Sequence, residues 1–304
     1  MSPEIDWRSL YPFASREINL GGHRYHYVDE GQGETLLLVH GNPTWSFYWR
    51  ELIRALSPKF RVIAVDHIGC GLSDKPRHYS YRLSQHIENL RTLVERLDLR
   101  RVTLLAHDWG GAIGLGAALA CPQRFARYVL FNTAAFRSTR IPWRIRICRT
   151  PVLGRLAVQG FNAFARAALN MAVCHHERMT PAVRAGLLAP YDSWQHRQAI
   201  YRFVEDIPLS VNHPSYATLR GIEERLGQLA EQPWMLVWGM RDWCFTPHFL
   251  ERFLTFVPQA EVHRLADAGH YVVEDAHERI GPLVDQFIER HPLALDPNHA
   301  LPNR

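Results

Sequence analysis

The hydrophobic positions of this chain fall into short solid runs rather than alternating ones. Thr35-Leu36-Leu37-Leu38-Val39, Arg61-Val62-Ile63-Ala64-Val65, Val102-Thr103-Leu104-Leu105-Ala106, Tyr128-Val129-Leu130-Phe131 and Trp234-Met235-Leu236-Val237-Trp238 are apolar on both faces. A strand buried within a parallel sheet requires that pattern. Glu261–Leu265 is the last strand predicted, and Arg16–Leu20 with His23–Asp29, broken at Gly21-Gly22, predict an opening hairpin. Longer helix-like stretches lie between the runs, and Leu90, Leu93, Val94 and Leu97 mark the core face of one of them. This alternation predicts an α/β protein with a mostly parallel central sheet flanked by helices.

The alternation stops between Ala134 and about Pro214, where the chain is aromatic, Arg-rich and helix-like. A helical insertion between two sheet strands reads as a cap over the carboxyl ends of the strands, where open α/β sheets bind their ligands. The organisation expected is therefore a core domain of residues 1–135 and 215–304 and a cap of residues 136–214. From Leu293 to Arg304 prolines without periodicity predict a loose tail.

Composition narrows the class. Hydrophobic residues are 47% and charged residues 21% of the 304, ordinary for a globular protein. No run reaches the ~18 apolar residues of a membrane span, and Met1–Tyr11 has no apolar signal core. Five scattered cysteines without a CxxC pair fit free thiols, and with them a cytoplasmic location. The net charge of +5 is carried by arginine, since Lys59 and Lys75 are the only lysines. No nucleic-acid-binding module is recognisable, so no nucleic-acid partner is expected.

The chemistry centres on Leu105-Ala106-His107-Asp108-Trp109-Gly110-Gly111, which follows a strand and precedes a helix start rich in small residues. Small residues two positions either side of a central polar one are the signature of a nucleophile elbow. The central residue here is Asp108, and a plain helix N-cap is the simpler reading of such an aspartate. Chain order decides between the two readings. In this fold the nucleophile is followed by an acid and then a histidine; Asp242 follows the Val237-Trp238-Gly239 strand end, and His270 follows the last strand. Asn42, in His40-Gly41-Asn42-Pro43, and Trp109 lie where backbone N–H groups of an oxyanion hole are supplied. His40 reads as structural. Cys174-His175-His176-Glu177 resembles half of a metal cluster but lacks a second half at ligand spacing, so neither a metal nor another cofactor is expected.

With these motifs the sequence resembles the haloalkane dehalogenases, through His40-Gly41-Asn42-Pro43-Thr44, Trp49-Arg50, Asp66 to Pro76, and His107-Asp108-Trp109-Gly110-Gly111. The resemblance runs from about Tyr25 to Glu289 and is closest to the third subfamily. It implies an α/β-hydrolase fold, Asp108 as nucleophile, His270 and Asp242 completing a triad, and Asn42 and Trp109 holding a departing halide. Asn132-Thr133-Ala134-Ala135-Phe136, Pro190 to Trp194, Asp206 to Leu209 and Asp242-Trp243-Cys244-Phe245 also resemble the β-lactone decarboxylases of bacterial olefin synthesis. Two activities follow as expectations: hydrolytic cleavage of a carbon–halogen bond through an alkyl-enzyme ester, or decarboxylation of a β-lactone by the same Asp/His machinery. The partner implied is a small hydrophobic substrate with a halide or carboxylate leaving group.

Two other readings carry less. An epoxide hydrolase needs cap tyrosines to protonate its substrate, with Tyr191, Tyr201 and Tyr216 as candidates, and a non-catalytic receptor would have no need of Asp108, Asp242 and His270 together. The Arg137–Arg155 stretch reads as a solvated cap helix whose apolar residues face the pocket. Contact with an anionic membrane or a pathway enzyme is its other reading.

Overall fold

Each apolar run becomes a strand because only a sheet covered on both faces can hide it. The computed structural model describes residues 5–293, so most of the predicted tail lies outside the described residues. The strands are β1 (Ser15–Leu20), β2 (His23–Glu30), β3 (Thr35–Val39), β4 (Arg61–Val65), β5 (Val102–Asp108), β6 (Phe125–Thr133), β7 (Trp234–Gly239) and β8 (Glu261–Leu265). They form one eight-stranded sheet in the order β1-β2-β4-β3-β5-β6-β7-β8. It is parallel from β4 to β8, with β2 antiparallel to both β1 and β4.

Helices α1 (Arg50–Leu56), α2 (Leu83–Arg96) and α3 (Trp109–Ala120) follow β3, β4 and β5. The stripe Leu90, Leu93 and Val94 of α2 is buried, as its spacing predicts. Between β6 and β7 the described residues form no strand. They fold into α4 (Trp143–Cys148), the short α5 (Leu153–Arg155) leading into a π-helical turn (Leu156–Gly160), α6 (Ala163–Met171), α7 (Pro181–Leu188), α8 (Gln198–Glu205) and α9 (Tyr216–Glu223). Helix α10 (Pro247–Leu254) precedes β8, and α11 (Val272–Arg290) closes the fold.

The Arg137–Arg155 stretch is not the single helix expected. Pro142 starts α4 and Pro151 follows its end, because proline cannot continue a helix from within. Of its apolar residues Ile141 and Ile145 line the cavity below, whereas Trp143, Ile147 and Val152 are 65%, 52% and 76% exposed.

Polar bonds seat these helices on the core. Buried Asp206 accepts from Arg82 Nη1 and the Leu83 N–H, each at 2.8 Å. Tyr191 OH donates to the Thr44 carbonyl at 3.1 Å, and Trp243 Nε1 donates to the Met171 carbonyl at 2.7 Å. Beneath the sheet a two-pronged ion pair, Arg50 to Glu274 at 2.6 and 2.8 Å, joins α1 to α11 in the interior.

Candidate active site

Strand register brings the first two motifs together. Pairing Val39 with Ala106 sets the loop after β3 beside the end of β5, so Gly41 and Asn42 meet Asp108. Asp108 has φ 53° and ψ −127°, a backbone conformation that non-glycine residues avoid. The turn is sharp because α3 starts at the next residue, and its neighbours must be small. A Cβ on Gly110 would strike the Val39 carbonyl, and one on Gly41 would strike the Asp108 carboxylate itself. Asp108 is not a mere helix cap, since its side chain makes no capping bond to α3.

The carboxylate is held by the backbone. Asn42 N–H donates to Asp108 Oδ1 at 2.6 Å, and the adjoining Trp109 N–H also favours the charged carboxylate. Thr133 Oγ1 donates to the Asp108 carbonyl oxygen and fixes the residue from behind. The other oxygen, Oδ2, lies 3.8 Å from His270 Nε2, which is too far for a hydrogen bond and near enough for strong electrostatic coupling. His270 Nδ1 donates to Asp242 Oδ2 at 2.9 Å, which fixes the tautomer.

Asp242 is itself pinned. Asn132 Nδ2 donates to Oδ2 at 3.0 Å, and the Cys244 N–H donates to Oδ1 at 2.6 Å. Asn132, at φ 24°, also bridges the Gly239 N–H and carbonyl, locking the end of β6 to the end of β7. The His270 backbone is held from below by His107, whose Nε2 donates to the His270 carbonyl at 2.8 Å. Burial drives His107 well below its ordinary pKa, so it is a neutral donor. His40 is structural, as read: its Nε2 accepts the His67 N–H at 3.1 Å, which leaves Nδ1 to donate to the Gly41 carbonyl at 2.7 Å. Asn132 and His107 were given no role from sequence, since nothing short-range separates them from ordinary strand-end residues.

Burial raises the pKa of Asp108 above the ordinary aspartate value, against the lowering effect of His270 and the two backbone N–H groups. For His270 burial opposes the charged form, but bonded Asp242 and nearby Asp108 outweigh it and the net shift is upward. Burial thus works against the charged form of Asp108, while the two carboxylates favour the charged form of His270.

Above Asp108 the cap encloses a forked apolar cavity. One lobe, about 880 Å³ and partly open to solvent, runs between Phe136, Ile141, Ile207 and Leu219. The other, about 890 Å³ and also partly open, runs between Ala167, Met171, Trp243 and Tyr271. They meet at Asn42, Asp108, Ile145, Phe164 and Cys244. The five residues singled out in the sequence therefore converge: Asn42, Asp108 and Trp109 line the first lobe, His270 lines the second, and Asp242 sits behind His270. Asn42 Nδ2 spends one hydrogen on the Ile200 carbonyl at 3.2 Å, leaving its second. Tyr191, Tyr201 and Tyr216 line neither lobe. Among the described residues no group of three or more His, Cys, Asp or Glu side chains is arranged to hold a metal ion. His175 instead lies between Glu177 and Asp267. The five cysteines are free.

A strained acid on an elbow, facing a histidine–aspartate pair under a helical cap, defines an enzyme of the α/β-hydrolase fold. A family model of that description matches residues 34–166. A cis-3-alkyl-4-alkyloxetan-2-one decarboxylase of Shewanella oneidensis is 40% identical, over 96% of this chain and 94% of that relative. Haloalkane dehalogenase 2 of Mycobacterium bovis is 33% identical over 91% and 96%. The crystal structure of a haloalkane dehalogenase from Agrobacterium tumefaciens C58 superposes with a TM-score of 0.83 at 26% identity, covering 92% of this chain and 97% of that one. The chain belongs to the α/β-hydrolase family, with a β-lactone decarboxylase and haloalkane dehalogenases among its relatives.

Proposed function

We propose that this enzyme decarboxylates β-lactones carrying an alkyl chain on each of two adjacent ring carbons, giving an alkene and carbon dioxide, with Asp108 as covalent nucleophile. The forked cavity carries this reading: two apolar lobes leave one carboxylate, as two chains leave one small ring. The 40% identity to a decarboxylase named for such a substrate adds support.

The steps balance within the residues present. Asp108 Oδ2 attacks the ring carbon bonded to oxygen, an sp³ centre, in line. The ring C–O bond breaks, and its electron pair stays on a carboxylate now hanging from the neighbouring carbon. Asn42, through its second amide hydrogen, and Trp109, through its indole N–H, hold that carboxylate in an apolar site where such donors count most. Inversion leaves the new C–O bond antiperiplanar to the carboxylate. Loss of carbon dioxide then forms the double bond, expels Asp108 with its electron pair and gives a cis alkene from a cis lactone. No water enters. His270, held by Asp242, stabilises the carboxylate being expelled as an imidazolium, consistent with its raised pKa.

A second reading is haloalkane hydrolysis, favoured by the Asn42 and Trp109 donor pair, which also suits a halide, and by the dehalogenase relatives. There Asp108 displaces halide, and His270, as general base, drives water onto the ester carbonyl. The oxyanion would form on Oδ1, already held by the backbone of Asn42. Side-by-side turnover of a cis-dialkyl β-lactone and a bromoalkane distinguishes the two. Alkene formation with the higher kcat/KM is expected; halide release without any alkene would overturn the decarboxylase reading.

A further inference from the structure

The first part of the cap has an unusual composition. Residues 137–176 hold seven arginines and no lysine, aspartate or glutamate. Among the described residues Arg137 pairs with Glu223, whereas Arg140, Arg144, Arg146, Arg149, Arg155 and Arg166 have no acidic side-chain partner. Arg144 lies over the rings of Trp143 and Trp243, and Arg155 over Trp194.

Large apolar side chains emerge through the same surface. Trp143, Ile147, Val152, Leu153, Leu156 and Phe161 are 65%, 52%, 76%, 72%, 46% and 69% exposed. Trp143 and Ile147 stand one helical turn apart on α4 and share a face. Gly154 packs against the backbone of Ile147 and Cys148, so α5 is folded beside α4. Gly160 lies against Leu156 and Trp194, which extends the patch to Trp194, 45% exposed. Elsewhere exposed large apolar residues stand singly, at Ile5, Leu72 and Val211. Clustered exposure of this kind marks an interaction surface.

We propose that this face docks on an anionic lipid bilayer, with Trp143, Ile147, Leu153 and Phe161 entering the interface and the unpaired arginines meeting lipid headgroups. Charge complementarity selects this occupant: unopposed arginine fits an anionic surface, and interleaved tryptophan and aliphatic residues fit the boundary between headgroup and chain. The position of the patch gives docking a use. Ile145 of α4 lines both lobes while Trp143 and Ile147 of the same helix face outward, so a single helix separates bilayer from cavity. Delivery of a water-insoluble dialkyl substrate through this face rests on the function proposed above; docking itself does not.

Co-sedimentation with phosphatidylcholine vesicles, with and without phosphatidylglycerol, at low and high salt, tests the proposal. The full chain is compared with Ile147→Ser/Leu153→Ser and with Arg146→Gln/Arg155→Gln, none of which touches the cavity. Binding to the anionic vesicles is expected, weakening with salt and falling roughly 25-fold in the double arginine variant, at roughly fivefold per basic side chain near such a surface, and falling also in the double apolar variant, which loses buried apolar area. Turnover of a short-chain, water-soluble β-lactone is expected to be unchanged in both variants. That measurement reads the proposed activity independently of docking. Equal binding to neutral and anionic vesicles, binding indifferent to both variant pairs, or no binding to either vesicle would overturn the proposal; the last result would leave the patch to a protein partner.

Discussion

In the proposed mechanism Asp108 must be ionised to attack, yet it sits where burial penalises its charge. Backbone N–H groups from Asn42 and Trp109 and the facing His270 offset that penalty without cancelling it, so its pKa stays above the ordinary value. The sign for stability follows. A carboxyl whose folded pKa is raised favours the fold while protonated, and that contribution is lost as pH rises through the folded pKa. At neutral pH the ionised Asp108 therefore costs stability, and Asp108→Asn is expected to be inactive but more stable than the parent by about 0.5–2 kcal/mol, and so to melt at a higher temperature. The two melting curves should converge as pH falls; a lower melting temperature for the variant at neutral pH would contradict this account of the site. The same carboxyl sets the acid limb of kcat/KM for lactone turnover, which should lie above the range of an ordinary aspartate. In the proposed mechanism Asn42 acts at the other end of the breaking bond. Asn42→Ala removes one donor to the leaving anion while keeping the backbone N–H on Oδ1, and formation of the Asp108 ester should slow by on the order of 10²–10³. Rapid-mixing kinetics with an unchanged first step would refute that role.

Helices and strands deliver these residues with differing legibility. The sheet was readable because its strands are buried on both faces and so spell unbroken apolar runs. The reading stopped short at Ala106 and Phe131, whereas β5 and β6 continue to Asp108 and Thr133. Those extra residues are polar because they carry the site, so local pattern breaks where function begins. Asn132 shows the limit most clearly. Its bonds reach Gly239 and Asp242, more than a hundred positions away, and no periodicity signals such a partner. The Arg137–Arg155 segment was misjudged for a different reason: its arginine spacing invited a continuous helix, and two prolines divide it. The α1–α11 contact was equally hidden, because Arg50 and Glu274 look like surface residues until the fold buries both. Breaking that pair strands a buried charge, so Glu274→Ala should lose roughly 3–5 kcal/mol. Chemical denaturation would check this, and a loss below that of a surface pair would mean that the site relaxes to admit water.

At the scale of the whole molecule, the sheet supplies a rigid floor with Asp108, Asp242 and His270 at its carboxyl edge, and the cap supplies an apolar roof. Asp206, Tyr191 and Trp243 bond across the seam, so the roof is seated rather than hanging open. What passes between floor and roof decides the chemistry. Hydrolysis and decarboxylation share the Asp108 ester and differ in what releases it. Water attacking the carboxyl carbon of the ester leaves its oxygen in the side chain of Asp108, whereas departure of carbon dioxide leaves that side chain as it was. Repeated turnover of a cis-dialkyl β-lactone in water enriched in heavy oxygen, followed by mass spectrometry of the peptide containing Asp108, separates the two directly. The account predicts alkene product and an unlabelled Asp108 after many turnovers, with label appearing only when a bromoalkane is hydrolysed in its place. Heavy oxygen in Asp108 after lactone turnover would contradict it.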